Sequence, residues 1–243
     1  MPEDGTLRSE GTQHATEEEP RIIPSTASVY DVTGIKPHGP PVADVALREK
    51  KIRSCKDNLI IGTWNVRSMS QGKLEIVKKE MDRLKINILG ISELKWTGLG
   101  YFKSNDYTIY YSGHEKQRKN GVALIVQKDT AKTVISYNVV NDRLISVRLR
   151  GAPFNMTIIQ VYAPTTDAEE EEMERFYDQV QTEIDNICKQ DALLLLGDWN
   201  AKVGKGRERE VVGQYDLGNR NEAGERLIGF CEYNSFFHCQ YCL

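Results

Sequence analysis

No stretch of this sequence approaches the roughly 18 consecutive apolar residues that a membrane helix needs. Nor does its acidic, polar N-terminus carry the apolar segment of a secretory leader. Membrane insertion and export are therefore not expected. A strong positive field is missing too: the net charge is −3, so the chain as a whole does not advertise a polyanion partner. Cysteines are few and scattered, at Cys55, Cys188, Cys231, Cys239 and Cys242. An odd, dispersed set argues against a disulfide framework and for a reducing compartment, nucleus or cytoplasm. Proline almost vanishes after residue 50, since six of the eight lie before it. No internal repeat is evident.

What is present divides the chain in three. Residues 1–50 hold nine acids against five bases, a net of −4, which leaves −3 − (−4) = +1 for the rest. This segment is proline-containing and poor in aromatics. It cannot bury enough apolar surface to offset its ordering entropy, and 1–57 reads as a disordered acidic tail. The basic stretch Arg48–Arg53 fits a nuclear-import or phosphate-touching patch or the solvated edge of a linker. A near-neutral body does not exclude DNA, because phosphate contacts depend on local Lys and Arg placement.

From Asn58 the texture changes. Leu59–Trp64 and Ile86–Ile91 are short apolar runs that read as buried strands, joined by a helix over Gln71–Lys85 with Leu74, Val77, Met81 and Leu84 on one face. Tyr107–Ser112, Val122–Gln127, Lys132–Tyr137, Leu144–Leu149 and Met156–Tyr162 follow as strands between turn signals such as Lys119-Asn120-Gly121. Thr166 and Glu169 have capping-box spacing ahead of a long helix, whose stripe is Met173, Phe176, Tyr177, Val180, Ile184 and Ile187. Glu169–Glu172 suits that helix's first turn. Leu193–Leu196 is a last buried strand. Strands that mostly follow one another, with two flanking helices, predict an α+β fold of two packed sheets with helices outside rather than a βαβ sheet.

Polar clusters end several buried strands, where side chains from different strands converge on one sheet edge: Thr63-Trp64-Asn65-Val66-Arg67-Ser68, Ser92-Glu93, Val161-Tyr162-Ala163-Pro164 and Gly197-Asp198-Trp199-Asn200. One Glu and one Asp supply the hard oxygens that Mg²⁺ prefers. Asn side chains donate to phosphate oxygens without adding charge. A Tyr hydroxyl can brace a developing oxyanion. Singly, each is equally a solvated strand end, a turn residue or packing.

In this order the clusters closely resemble the endonuclease/exonuclease/phosphatase superfamily. With Tyr111-Ser112-Gly113 and Lys119-Asn120-Gly121-Val122-Ala123, they look most like its non-LTR retrotransposon-derived endonucleases. The resemblance covers about residues 58–230. It implies mixed sheets in a four-layer αββα sandwich, a Mg²⁺ cofactor with Mn²⁺ as substitute, DNA as partner, and no small-molecule cofactor. Glu93 would be the principal metal ligand, and Asn65 would be a second one that also helps to position phosphate. Tyr162 would contact the scissile phosphate. Asp198 would orient or deprotonate the attacking water, supported by Asn200. Arg67, Asn219 and Asn221 would bind substrate, the last two in a polar loop beside the nucleic-acid groove. A plain turn leading into a helix accounts equally for Asn219 and Asn221.

The superfamily ends with an Asp-bearing strand and a late Ser-Asp-His. None of His14, His38, His114 and His238 follows Ser-Asp, and Cys231–Leu243 reads as a divergent tail. The expectation is a C-terminally truncated domain with impaired phosphodiester hydrolysis. The alternative is a catalytically dead remnant that binds nucleic acid or protein. His114 sits in a charged loop with Arg118 and Lys119, which reads as a solvated loop or as a source of phosphate contacts. Cys239 and Cys242 have zinc-like spacing but form only one short pair.

Overall fold

The computed structural model describes residues 27–31, 59–204 and 219–236. Arg48–Arg53, His14, His38, His238 and the Cys239/Cys242 pair lie outside them. Among the described residues no helix is long and apolar enough to cross a membrane.

Two βαβ units set the plan. In the first, β2 (Ile60–Asn65) leads through α1 (Lys73–Leu84) to β3 (Ile88–Ser92), and the two strands pair in parallel. In the second, β9 (Met156–Tyr162) leads through α3 (Glu170–Asp185) to β10 (Ala192–Asp198), again in parallel. Parallel pairing puts both C-terminal ends of each unit at one edge. The remaining strands pair antiparallel: β1 (Ala27–Asp31), β4 (Leu99–Ser104), β5 (Tyr107–Ser112) and β6 (Val122–Gln127) complete a six-stranded sheet of order β1-β2-β3-β6-β5-β4. The strands β7 (Val134–Asn141) and β8 (Leu144–Leu149), which follow the short helix α2 (Lys128–Ala131), complete a four-stranded sheet of order β10-β9-β8-β7. Both sheets are mixed, and each holds the βαβ element that the strand succession alone argued against.

Period-two alternation sorts the side chains. Ile61, Ile88, Leu124, Ile145, Val147, Ile158 and Leu196 fill the space between the sheets. Their neighbours Leu89, Ile91, Ile109 and Ile125 face outward under Val77 and Met81 of α1. Leu144, Ile159 and Val161 face outward under Phe176, Val180 and Ile184 of α3. Strands covered on both faces read as continuous apolar runs. Each of the three buried α3 side chains contributes about 1.5–3 kcal/mol through apolar burial, and that burial fixes the helix to the sheet. The four layers are therefore helix, sheet, sheet, helix.

The structure departs from the sequence reading in four places. Strand β1 lies within the segment expected to lack structure, and pairs its backbone with β2. Strand β4, which the sequence reading leaves in a connection, is an edge strand with Leu99 and Tyr101 exposed. Helix α3 is capped by Glu169 with no side-chain hydrogen bond, so Thr166 and Glu169 form no capping box. Helix α4 (Glu222–Tyr233) runs across the boundary placed at residue 230 and buries Cys231 with Val203, Leu227 and Ile228.

Burial pushes the Cys231 thiol up to about 12, whereas Cys188 is exposed. Alkylation of the folded protein with iodoacetamide at mildly alkaline pH is expected to modify Cys188 and spare Cys231, as read by peptide mass mapping. Equal modification of both would show that α4 is not docked.

Candidate active site

The ends of β2, β3, β9 and β10 meet at one edge of the sandwich. Asn65 is the last residue of β2, and its Nδ2 donates to Glu93 Oε1 at 2.9 Å and to Asp198 Oδ2 at 2.5 Å. One amide thus links carboxylates carried by different sheets. The Asn65 oxygen accepts from the Arg67 backbone N–H at 3.0 Å, which fixes the orientation of the amide.

Glu93 has a left-handed backbone, φ 55°, rare for a residue with a side chain. It is held there from both sides. Val66 and Ser68 donate to the carbonyls of Ser92 and Glu93 at 3.1 and 2.8 Å, while Leu94 and Lys95 donate to the carbonyls of Gly121 and Asn120 at 2.9 and 2.8 Å. Arg67, Ser68 and Lys95 are also left-handed, at φ 47°, 87° and 57°. Such conformations persist where surrounding structure over-determines them, commonly at functional sites. The Lys95 ammonium lies 3.5 Å from Glu93 Oε2.

Tyr162 ends β9 on the inner face and is buried. Burial first, then the Glu93 charge, push its phenol up to about 12, against a lowering from Arg143. It therefore stays protonated, a hydrogen-bond donor, across the neutral range. Asp198 Oδ1 accepts from the backbone N–H of Asn200 at 3.0 Å, and Asn200 Nδ2 donates to the Ala163 carbonyl at 2.8 Å. Asn200, left-handed at φ 48°, thus ties the exit of β10 to that of β9.

Beneath these groups lies a polar layer that sequence reasoning missed. Gln160 is completely buried between the sheets. Its Oε1 accepts from the Thr63 hydroxyl at 3.2 Å and its Nε2 donates to Ser92 Oγ at 2.9 Å, which in turn donates to the Val161 carbonyl at 3.0 Å. A Cβ on Gly90 would stand 1.8 Å from Gln160 Oε1, so any side chain there would displace that amide. A glutamine and a glycine inside otherwise apolar strands were the available signals.

Asn65, Glu93, Tyr162, Asp198 and Asn200 are thus brought together. Arg67 is adjacent, with its side chain exposed. The loop expected around Asn219 and Asn221 leads directly into α4. Asn221 caps that helix, its oxygen accepting from the N–H groups of Gly224 and Lys202, each at 2.9 Å, while Asn219 is exposed. His114 spends Nδ1 on the backbone N–H groups of Lys116 and Gln117 at 3.1 and 3.0 Å.

Residues 62–224 match the model of the Endonuclease/Exonuclease/phosphatase family. The chain belongs to that family. Curated relatives of this endonuclease/exonuclease/phosphatase protein include craniofacial development protein 2 of Bos taurus, 53% identical over 232 residues, and of Tragulus javanicus, 49% identical over 233. Each alignment takes in 96% of this chain but only 39% and 41% of those relatives, so the chain spans about two fifths of their length. Among solved structures, the endonuclease domain of TRAS1, a telomere-specific non-LTR retrotransposon, aligns with a TM-score of 0.49 at 16% identity, over 71% of this chain and 68% of that one.

Among the described residues no group of three or more His, Cys, Asp or Glu side chains gathers into a metal cage. Among the described residues of this site, Glu93 and Asp198 are the carboxylates that could hold a divalent cation. Hard oxygens in that number suit Mg²⁺, which keeps several waters and fills its shell with substrate phosphate. Asn65 was expected to be a ligand as well. In this structure its NH₂ group faces both carboxylates and its oxygen accepts from the Arg67 N–H.

Proposed function

We propose that this domain hydrolyses phosphodiesters in DNA with Mg²⁺, or Mn²⁺ in its place, held at Glu93 and Asp198. The observation that carries the reading is the single amide of Asn65 linking those two carboxylates from opposite sheets. Family membership supports it. The bound cation would polarise a phosphate oxygen and offset charge on the leaving oxygen.

The chain's own residues do the rest. Asn65 holds the carboxylates at a fixed separation, so no reorganisation is needed when charge develops. Asp198, oriented by the Asn200 backbone and by Asn65, would orient the attacking water. Tyr162, neutral and raised to about 12, donates to a non-bridging phosphate oxygen. Arg67, exposed beside Asn65, would meet the DNA backbone.

The test is nicking of supercoiled plasmid and cleavage of an abasic duplex by purified protein, with Mg²⁺ and with EDTA. Cleavage that requires Mg²⁺ and disappears in Asp198→Asn is the expected result. Folded protein that cleaves neither substrate overturns the reading and leaves the carboxylate pair in a binding module.

A further inference from the structure

The two halves of the site sit on separate sheets, yet a second set of hydrogen bonds joins them outside the buried Gln160 layer. Leu94 and Lys95, directly after Glu93, donate to the carbonyls of Gly121 and Asn120. Gly121 N–H and Asn120 Nδ2 cross to the other sheet, donating to the Asp142 carbonyl at 2.9 Å and to Asp142 Oδ2 at 3.0 Å. Asp142 and Arg143 form the turn between β7 and β8. The Arg143 carbonyl accepts from the Tyr162 backbone N–H at 2.9 Å. Its guanidinium lies 5.3 Å over the Tyr162 ring, donates to the Tyr162 carbonyl at 3.3 Å and pairs with Glu172 of α3 at 3.0 Å. The turn itself is fixed by Asn141, which accepts from the Arg143 N–H and donates to Gln179 of α3, each at 2.8 Å.

We propose that Asp142 and Arg143 are positioning residues, a bracket that sets the spacing between Glu93 and Tyr162 by tying the β3 exit to the end of β9 through Asn120. Its effect on rate rests on the phosphodiesterase reading. Its effect on the Tyr162 ring rests on geometry alone. A guanidinium stacked on a ring and bonded to that residue's carbonyl restricts both position and tilt. Asn120 has φ 50°, where Asn and Asp are the side chains best tolerated. The bond to Asp142 can therefore be altered without straining the backbone.

The experiment uses the full chain and compares Asn120→Asp, Asp142→Asn and the double variant. Asn120→Asp sets two carboxylates against each other and opens the bracket. Asp142→Asn keeps an acceptor for Asn120. The double variant restores one hydrogen bond with its direction reversed. The first readout is the ¹³C ring signal of Tyr162, assigned with Tyr162→Phe. The second is kcat and KM for Mg²⁺-dependent nicking. In Asn120→Asp the ring signal moves and kcat falls about 10- to 100-fold with KM unchanged, the scale expected of a sub-ångström misplacement. Both return toward wild type in the double variant. A ring signal that does not move in Asn120→Asp, or is not restored by the second change, overturns the bracket. Wild-type protein without nicking overturns the nuclease reading instead, and the ring signal then decides the bracket alone.

Discussion

Replacing Glu93 with glutamine is expected to reduce Mg²⁺-dependent DNA cleavage by about 100-fold or more, while the fold stays intact. The two side chains have the same shape. The glutamine oxygen can still accept from Asn65, as Glu93 Oε1 does at 2.9 Å. The ion pair with Lys95 would be lost, but that contact is long, at 3.5 Å, and Lys95 is partly exposed, so its loss costs little stability. What disappears is one of the two carboxylates proposed to hold the cation. Loss of about 3 kcal/mol of charge stabilisation corresponds to about 100-fold in rate. Nicking assays give the rate and calorimetric titration gives Mg²⁺ affinity, which should fall in parallel. Unchanged cleavage in Glu93→Gln would remove Glu93 from the site.

Gly197→Ala is expected to have the largest effect on stability. Gly197 has φ 146°, a conformation that side chains rarely adopt, and it pairs with Val161 in the register of β9 and β10. A Cβ there would lie 2.1 Å from the Val161 carbonyl oxygen and 2.7 Å from Val161 Cγ2. Neither neighbour can yield cheaply. Val161 is fully buried, and its carbonyl is the acceptor for Ser92 across the sheets. Overpacking and backbone strain together should cost about 4 kcal/mol, a large share of the 5–15 kcal/mol typical of a folded domain. The melting midpoint should fall by roughly 10 °C, and urea denaturation should show the same loss without a changed slope. A variant within about 0.5 kcal/mol of wild type would mean that β10 does not occupy this register.

Much of this architecture is legible in the chain. The predicted bounds of β5, β6, β8 and β9 coincide with those observed, because each is a short apolar run between strong turn signals. Strand β4 escaped because Gly98 and Gly100 break its pattern and, as an edge strand, its side chains alternate with no apolar face. The pairing of β1 with β2 depends on a partner more than thirty residues away, which local composition does not reveal. Within the site, Asn65, Glu93, Tyr162 and Asp198 were visible as polar residues ending apolar strands. Their mutual hydrogen bonds depend on how two sheets face each other, which no strand-by-strand reading supplies. The sense in which Asn65 takes part was hidden for the same reason: the Arg67 N–H decides which end of its amide meets the carboxylates. Asn221 illustrates the converse. The family resemblance placed it in a polar loop beside the groove and suggested substrate contact, but Asn at the start of a helix is also a favoured N-cap, and capping is the role observed.

The link from Asn65 to Asp198 joins positions 133 residues apart in the chain. During synthesis at about 5–20 residues per second, an emerging polypeptide carries Asn65 and Glu93 on the order of 10 s before Asp198 exists. Throughout that interval the ribosome holds a chain in which β9 and β10 have yet to form the second half of the centre. The hydrogen-bonded centre around Asn65 therefore forms only once β10 has been made.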